Sequence, residues 1–152
     1  MLYEQSRWVY RPVKKQSWQF VLDLLVLAVA SHSIAGGVLL LFFPLWTLKL
    51  VGWNFAGQVF WPSQAGLFLT LLGGVYASAI RLRALIWFLI ISKACAIVFL
   101  LLSVVFLDAP RVVIAMAIVD GLMGLSVALI YWKEMRVGDP ARTLSQRRPK
   151  LK

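Results

Sequence analysis

Four apolar runs, each long enough to cross a bilayer and almost free of charge, constrain this chain more than any other feature. The first reads WQFVLDLLVLAVASHSIAGGVLLLFF, from about Trp18 to Phe43. The second, PSQAGLFLTLLGGVYASAI, covers 62–80, and the third, ALIWFLIISKACAIVFLLLSVVFL, covers 84–107. The fourth, RVVIAMAIVDGLMGLSVALIYW, covers 111–132. A hydrocarbon core of about 30 Å needs about twenty residues at a rise of about 1.5 Å each. Helices are expected, because a helix satisfies its own backbone groups where no water is present, and the alternation of barrel strands is absent. The fold class read from the sequence is therefore all-α, a four-transmembrane-helix bundle over 18–132. Hydrophobic residues make up 61% of the 152, above the ~45–50% of a soluble domain. The first run is too long for the apolar region of a cleavable signal peptide, and no second domain is expected.

Basic residues set the expected orientation. Arg7, Arg11, Lys14 and Lys15 precede the first run, Arg81 and Arg83 lie between the second and third, and seven more fall between Lys133 and Lys152. With the amino terminus inside, these thirteen of the sixteen Lys and Arg residues are cytoplasmic, against Lys49 and Arg111 outside and Lys93 within the membrane. Cytoplasmic loops carry such an excess, so both termini are expected in the cytoplasm, and a bacterial inner membrane is the expected location. The net charge of +10 points to anionic headgroups at the cytoplasmic face as the partner, and no nucleic acid is implied.

Three segments lie outside the runs. Residues 1–17 mix Tyr3, Trp8 and Tyr10 with cations, as a segment on a headgroup surface does. The tail 133–152 is basic, holds Pro140 and Pro149, and has too few apolar residues for a core. Between the first two runs, PLWTLKLVGWNFAGQVFW carries Trp46, Trp53, Phe55, Phe60 and Trp61 with one charge. Indole rings favour the headgroup level, so a short interfacial element is expected there. Its plain reading is an apolar connection packed over the helix ends; a surface for a quinone, a lipid tail or a partner helix is the alternative.

Asp23, His32, Lys93 and Asp120 are the ionisable side chains inside the runs, and each is a candidate for function because charge in hydrocarbon is costly. Counting from the cytoplasmic ends puts Lys93 at a depth of about 14 Å and Asp120 at about 18 Å. The two helices are neighbours joined by a short turn, so an ion pair near the midplane is expected. It either fixes helix register or carries a proton or ion. His32, at about 20 Å and flanked by Ser31 and Ser33, either bonds a facing helix or joins the pair in a buried polar cluster. Asp23 and Tyr76 fall at a similar level near the cytoplasmic side, and Asp23 either accepts a hydrogen bond from Tyr76 or reaches water or Lys15. One His, one Asp and the single Cys95 make no convincing metal set; neither a metal nor a cofactor is implied, and no catalytic residue is assigned.

Small residues mark packing faces. Gly66, Thr70 and Gly74 recur along the second run, and Ala117, Gly121, Gly124 and Ala128 along the fourth. In the first, Ser31 with Ala35 and His32 with Gly36 repeat the spacing. Such stripes let helices approach closely.

No phosphate-binding loop, HExxH, CxxC or GxSxG is present, which argues against a hydrolase or a nucleotide-driven pump. The segments GLFLTLLGGVYASAIRLRAL, ISKA with Lys93 and AIVDGL with Asp120 resemble the small four-helix membrane proteins grouped around the DoxX-like families. The resemblance covers roughly 62–132; the first run lacks the arginine-led opening of DoxX proteins. It implies the four-helix topology, and many members of that group have no assigned activity. Three functions remain. The leading expectation is a non-catalytic accessory or assembly subunit, associating with other membrane subunits or with itself. A small proton- or ion-coupled transporter using Lys93, Asp120 and His32 is the second. A quinone-reactive enzyme subunit is the third.

Overall fold

The computed structural model describes residues 13–53 and 57–137. Among them are five helices and no strand: α1 (Val13–Phe42), α2 (Pro44–Leu50), α3 (Phe60–Ser78), α4 (Leu85–Phe106) and α5 (Val112–Val137). Three stretches, Trp18–Phe42, Leu85–Phe106 and Val112–Arg136, are long and apolar enough to cross a membrane. The α3 helix carries no charge, but Ser63, Gln64 and its glycines hold its hydropathy below theirs. Two helices overrun the runs read from hydropathy: α1 starts before Trp18 and α5 continues past Trp132. Hydropathy marks where a chain leaves hydrocarbon, whereas the helix continues through good formers such as Lys14, Lys15 and Gln16, or Lys133, Glu134, Met135 and Arg136. The expected surface segment before Val13, the tail beyond Val137 and Phe55 of the aromatic stretch lie outside the described residues.

The connections follow from local chemistry. Pro44 has no N–H to continue α1 and disfavours helical backbone at Phe43, which takes φ −130° and ψ 51°. The chain then restarts as α2, with proline in its first turn. Thr47 ties α2 back to α1: its hydroxyl donates to the Phe43 carbonyl at 2.8 Å and lies 3.1 Å from that of Leu39. Gly52, at φ 72°, closes α2. Its N–H donates to Lys49 and that of Trp53 to Leu48, at 3.0 and 2.8 Å, the paired closure that a left-handed glycine allows. Between α4 and α5 the left-handed residue is Asp108, whose short polar side chain tolerates that backbone.

The four long helices pack as two antiparallel pairs, α1 with α3 and α4 with α5, and the pairs meet chiefly where α1 touches α5. In the first pair the backbones themselves are in contact. A Cβ on Gly66 would collide with the Leu41 amide and the Gly37 carbonyl, one on Gly37 with Thr70, and one on Gly73 with Ala30 and Ile34. Gly74, expected in this stripe, instead faces open space. Eight residues from Gly66 turn about 80° around the helix, whereas seven turn only about 20°, so Gly73 occupies the seam. Leu22, Val26, Val29, Tyr76, Ile86, Leu89 and Val127 form a core in which no member is more than 2% exposed. That core fills the half of the bundle nearer the Arg81–Arg83 turn.

Both ends carry aromatic rings. At the α2 end Trp46, Trp53, Phe60 and Trp61 are exposed, with Phe60 and Trp61 edge to face at 5.2 Å. At the opposite end Trp87 meets Tyr131 edge to face at 5.9 Å. There the Arg136 guanidinium lies 4.0 Å from the Trp132 ring and the Lys133 ammonium 5.0 Å from Trp18.

Candidate functional site

The most deeply placed charge in the bundle is Lys93, only 4% exposed. It sits on α4, eight positions after Leu85, and its ammonium reaches the Asp120 carboxylate of α5 at 2.5 Å. The fold makes room for this contact. A Cβ on Gly124 would lie 3.1 Å from the Lys93 Cβ, so the bare α5 backbone accepts the aliphatic stem of the lysine while its head reaches one turn further to Asp120. Gly121 faces Ile97 of α4 with a Cβ clearance of 3.5 Å, and Ala117 is buried. The Lys93 ammonium also lies 5.9 Å from the Tyr76 ring, within reach of its negative face. Two unit charges in hydrocarbon are tolerable only together, and here each cancels the other.

Asp23 and Tyr76 are not partners. Asp23 pairs with Arg83 of the α3–α4 turn at 2.8 Å, both side chains about one-third exposed. The geometry is that of a charge pair rather than an aligned hydrogen bond. The Tyr76 hydroxyl instead meets the Ser92 hydroxyl at 2.7 Å, and Ser92 donates to the Leu89 carbonyl at 2.9 Å. A long, flexible arginine in a turn reaches back to α1, whereas the tyrosine ring is held in the core and directs its oxygen toward α4.

Beyond the ion pair, toward α2, the helices line a half-open cavity of about 370 Å³. Its polar lining comprises Thr47 of α2, the exposed His32, the buried Ser33 and Lys93, and the half-buried Asp120, and the rest of its lining is apolar. His32 therefore shares one cavity with Lys93 and Asp120 but makes no ion pair with Asp120. Four hydroxyls elsewhere are satisfied within their own helices: Thr70, Ser78, Ser103 and Ser126 each donate to the carbonyl four residues back, the usual resolution in an apolar helix. Ser33 differs. It is 1% exposed and its hydroxyl has no partner.

Sequence reasoning missed Ser33, Arg83, Ser92 and the Gly37–Gly73 part of the seam. The glycines were open to detection from a four-then-three spacing: Ala30, Ile34, Gly37 and Leu41 on α1 match Gly66, Thr70 and Gly73 on α3. Nothing in the sequence marked Ser33 apart from its neighbour Ser31. Cys95 is exposed, and no three of His, Cys, Asp and Glu gather among the described residues. No family model, no curated protein and no solved structure matches the chain.

Proposed function

We propose that this chain is a four-crossing integral membrane protein, both termini cytoplasmic, that serves as a non-catalytic accessory or assembly subunit of a larger membrane complex. The fourth crossing would be α3. It runs antiparallel to α1 from Gly66, beside Leu41, to Gly73, beside Ala30, and the turn that follows it pairs with Asp23. That is the length of α1 between Asp23 and Leu41, about 27 Å at 1.5 Å per residue. The aromatic rings at both ends suit two headgroup levels, and the positive-inside bias places the Arg81–Arg83 turn in the cytoplasm. A bacterial inner membrane and a kinship with DoxX-like proteins belong to the same proposal; the kinship rests on the quoted sequence segments alone.

The observation that carries the subunit reading is the closed state of the polar centre. Lys93 and Asp120 neutralise each other, and behind them, toward the cytoplasmic side, lies a core with Leu22, Val26, Ile86, Leu89 and Val127 all fully buried. A lock between helices needs such a seal; a path for ions needs it broken. The outward faces of the helices are apolar and free to meet lipid or another subunit's helices. Extraction in a mild detergent is expected to bring down a stoichiometric membrane partner. A lone, monodisperse chain that is equally stable and localised on its own contradicts the reading.

The cavity above the pair favours a second reading, a proton- or ion-coupled carrier approached from the α2 side. It requires Lys93 and Asp120 for flux, so uptake that survives replacement of both by leucine removes it.

A further inference from the structure

Besides Thr47, the cavity is lined by four groups capable of hydrogen bonding or charge; Lys93 and Asp120 hold each other, His32 is exposed, and Ser33 alone is buried without a partner. Burying a hydroxyl unpaired is unfavourable, and Thr47, Thr70, Ser78, Ser92, Ser103 and Ser126 each avoid that state by donating to a nearby backbone carbonyl. Ser33 is one of the residues lining a space large enough for a ligand, and its hydroxyl is buried at that lining. We propose that this cavity is a binding site for a small neutral amphiphile, an aliphatic or isoprenoid chain bearing one hydroxyl or carbonyl, whose oxygen bonds Ser33.

Three features define that class. The volume of about 370 Å³ corresponds to about a dozen heavy atoms at the ~30 Å³ a water molecule occupies in the liquid. The walls, among them Leu40, Leu69, Leu100 and Met116, are aliphatic and offer no ring for stacking. The polar lining has no spare charge: Lys93 and Asp120 are committed to each other, so an ionic head would bring an uncompensated charge into an apolar site. A neutral oxygen can accept from Ser33 or donate to it, with His32 as a second partner on the same lining. Access is lateral. The α1 and α5 helices touch through Leu22, Val26 and Val127 in the half near the arginine turn, and the cavity lies between them in the other half, where Met116 is 44% exposed. A lipid-soluble molecule reaches this opening through the hydrocarbon without crossing a headgroup layer. The inference goes beyond the subunit reading and does not depend on it.

The test uses the full chain in phosphatidylcholine nanodiscs with a diazirine derivative of dodecan-1-ol as the probe. Saturable photolabelling is expected on peptides of α1 and α5 that border the cavity. Unlabelled dodecan-1-ol should compete, and laurate at pH 9, where it is anionic, should compete at least tenfold less well. Met116→Trp, which fills the mouth, should lower labelling tenfold or more. Ser33→Ala should lower it severalfold; it removes one oxygen that has no protein partner to lose, so it keeps the test decisive where the tryptophan variant fails to fold. Label spread without saturation over the lipid-facing side chains, or labelling unchanged in Ser33→Ala, overturns the site. Equal competition by laurate overturns its neutrality.

Discussion

The two helix pairs are joined by opposite means. In the α1–α3 pair the backbones meet directly at Gly37 and Gly66, and apart from the Thr70 hydroxyl the contact is made of main-chain atoms. In the α4–α5 pair the same economy appears only at Gly124, and there it serves to seat the stem of Lys93 on its way to Asp120. The first seam relies on shape; the second relies on one buried charge pair. A shape-based seam fails by degrees as its surfaces are pushed apart. A charge-based seam fails sharply, because losing one partner leaves the other charge in an apolar interior. Close packing of small residues is the general solution inside a bilayer, where apolar contact alone drives no association. The ion pair is the exception that needs a purpose.

The comparison breaks most visibly at the charge pair. Lys93→Leu should destabilise the bundle by about 3–5 kcal/mol, the usual cost of orphaning one member of a buried pair. Thermal unfolding in detergent or nanodiscs reads that loss; an unchanged transition means the Asp120 carboxylate already reaches water. A smaller effect is expected in the other seam. Gly66→Val forces its methyls against the Leu41 and Gly37 backbone and should lose about 1–3 kcal/mol as an overpacked contact. The smallest comes from Gly74→Val, one position beyond the seam, where the added side chain meets nothing within 4 Å. Its unfolding should stay close to that of the parent. Equal losses at Gly66 and Gly74 would show that helix propensity rather than backbone contact governs this pair.

What was legible in the sequence divides along the same line. Depth along a helix is a matter of counting, so Lys93 and Asp120, on antiparallel helices joined by a short turn, could be placed at one level; the 2.5 Å contact lies there. Rotation about a helix is less forgiving. Gly74 shares a four-residue spacing with Gly66 and Thr70, but each such step drifts about 40°, and Gly73 is the residue that meets α1. Partners set by a third element were not legible. Asp23 is met by Arg83 because the α3–α4 turn folds against α1, and Tyr76 is turned toward Ser92 by the core around its ring. Ser31 and Ser33 read alike, yet Ser31 is exposed while Ser33 is buried without a partner. Only the position of α4 and α5 relative to α1 separates them.

A double-substitution cycle tests most directly the claim that Lys93 and Asp120 lock α4 to α5. Lys93→Leu and Asp120→Leu are made singly and together, and unfolding is followed in the same membrane mimetic. With both charges gone no ion is left unpaired, and an apolar replacement of a buried pair is often neutral. The double variant should therefore recover most of the stability lost by either single one, with a coupling above about 2 kcal/mol. Losses that simply add would contradict the account, since they would mean the two side chains are stabilised separately and the pair locks nothing.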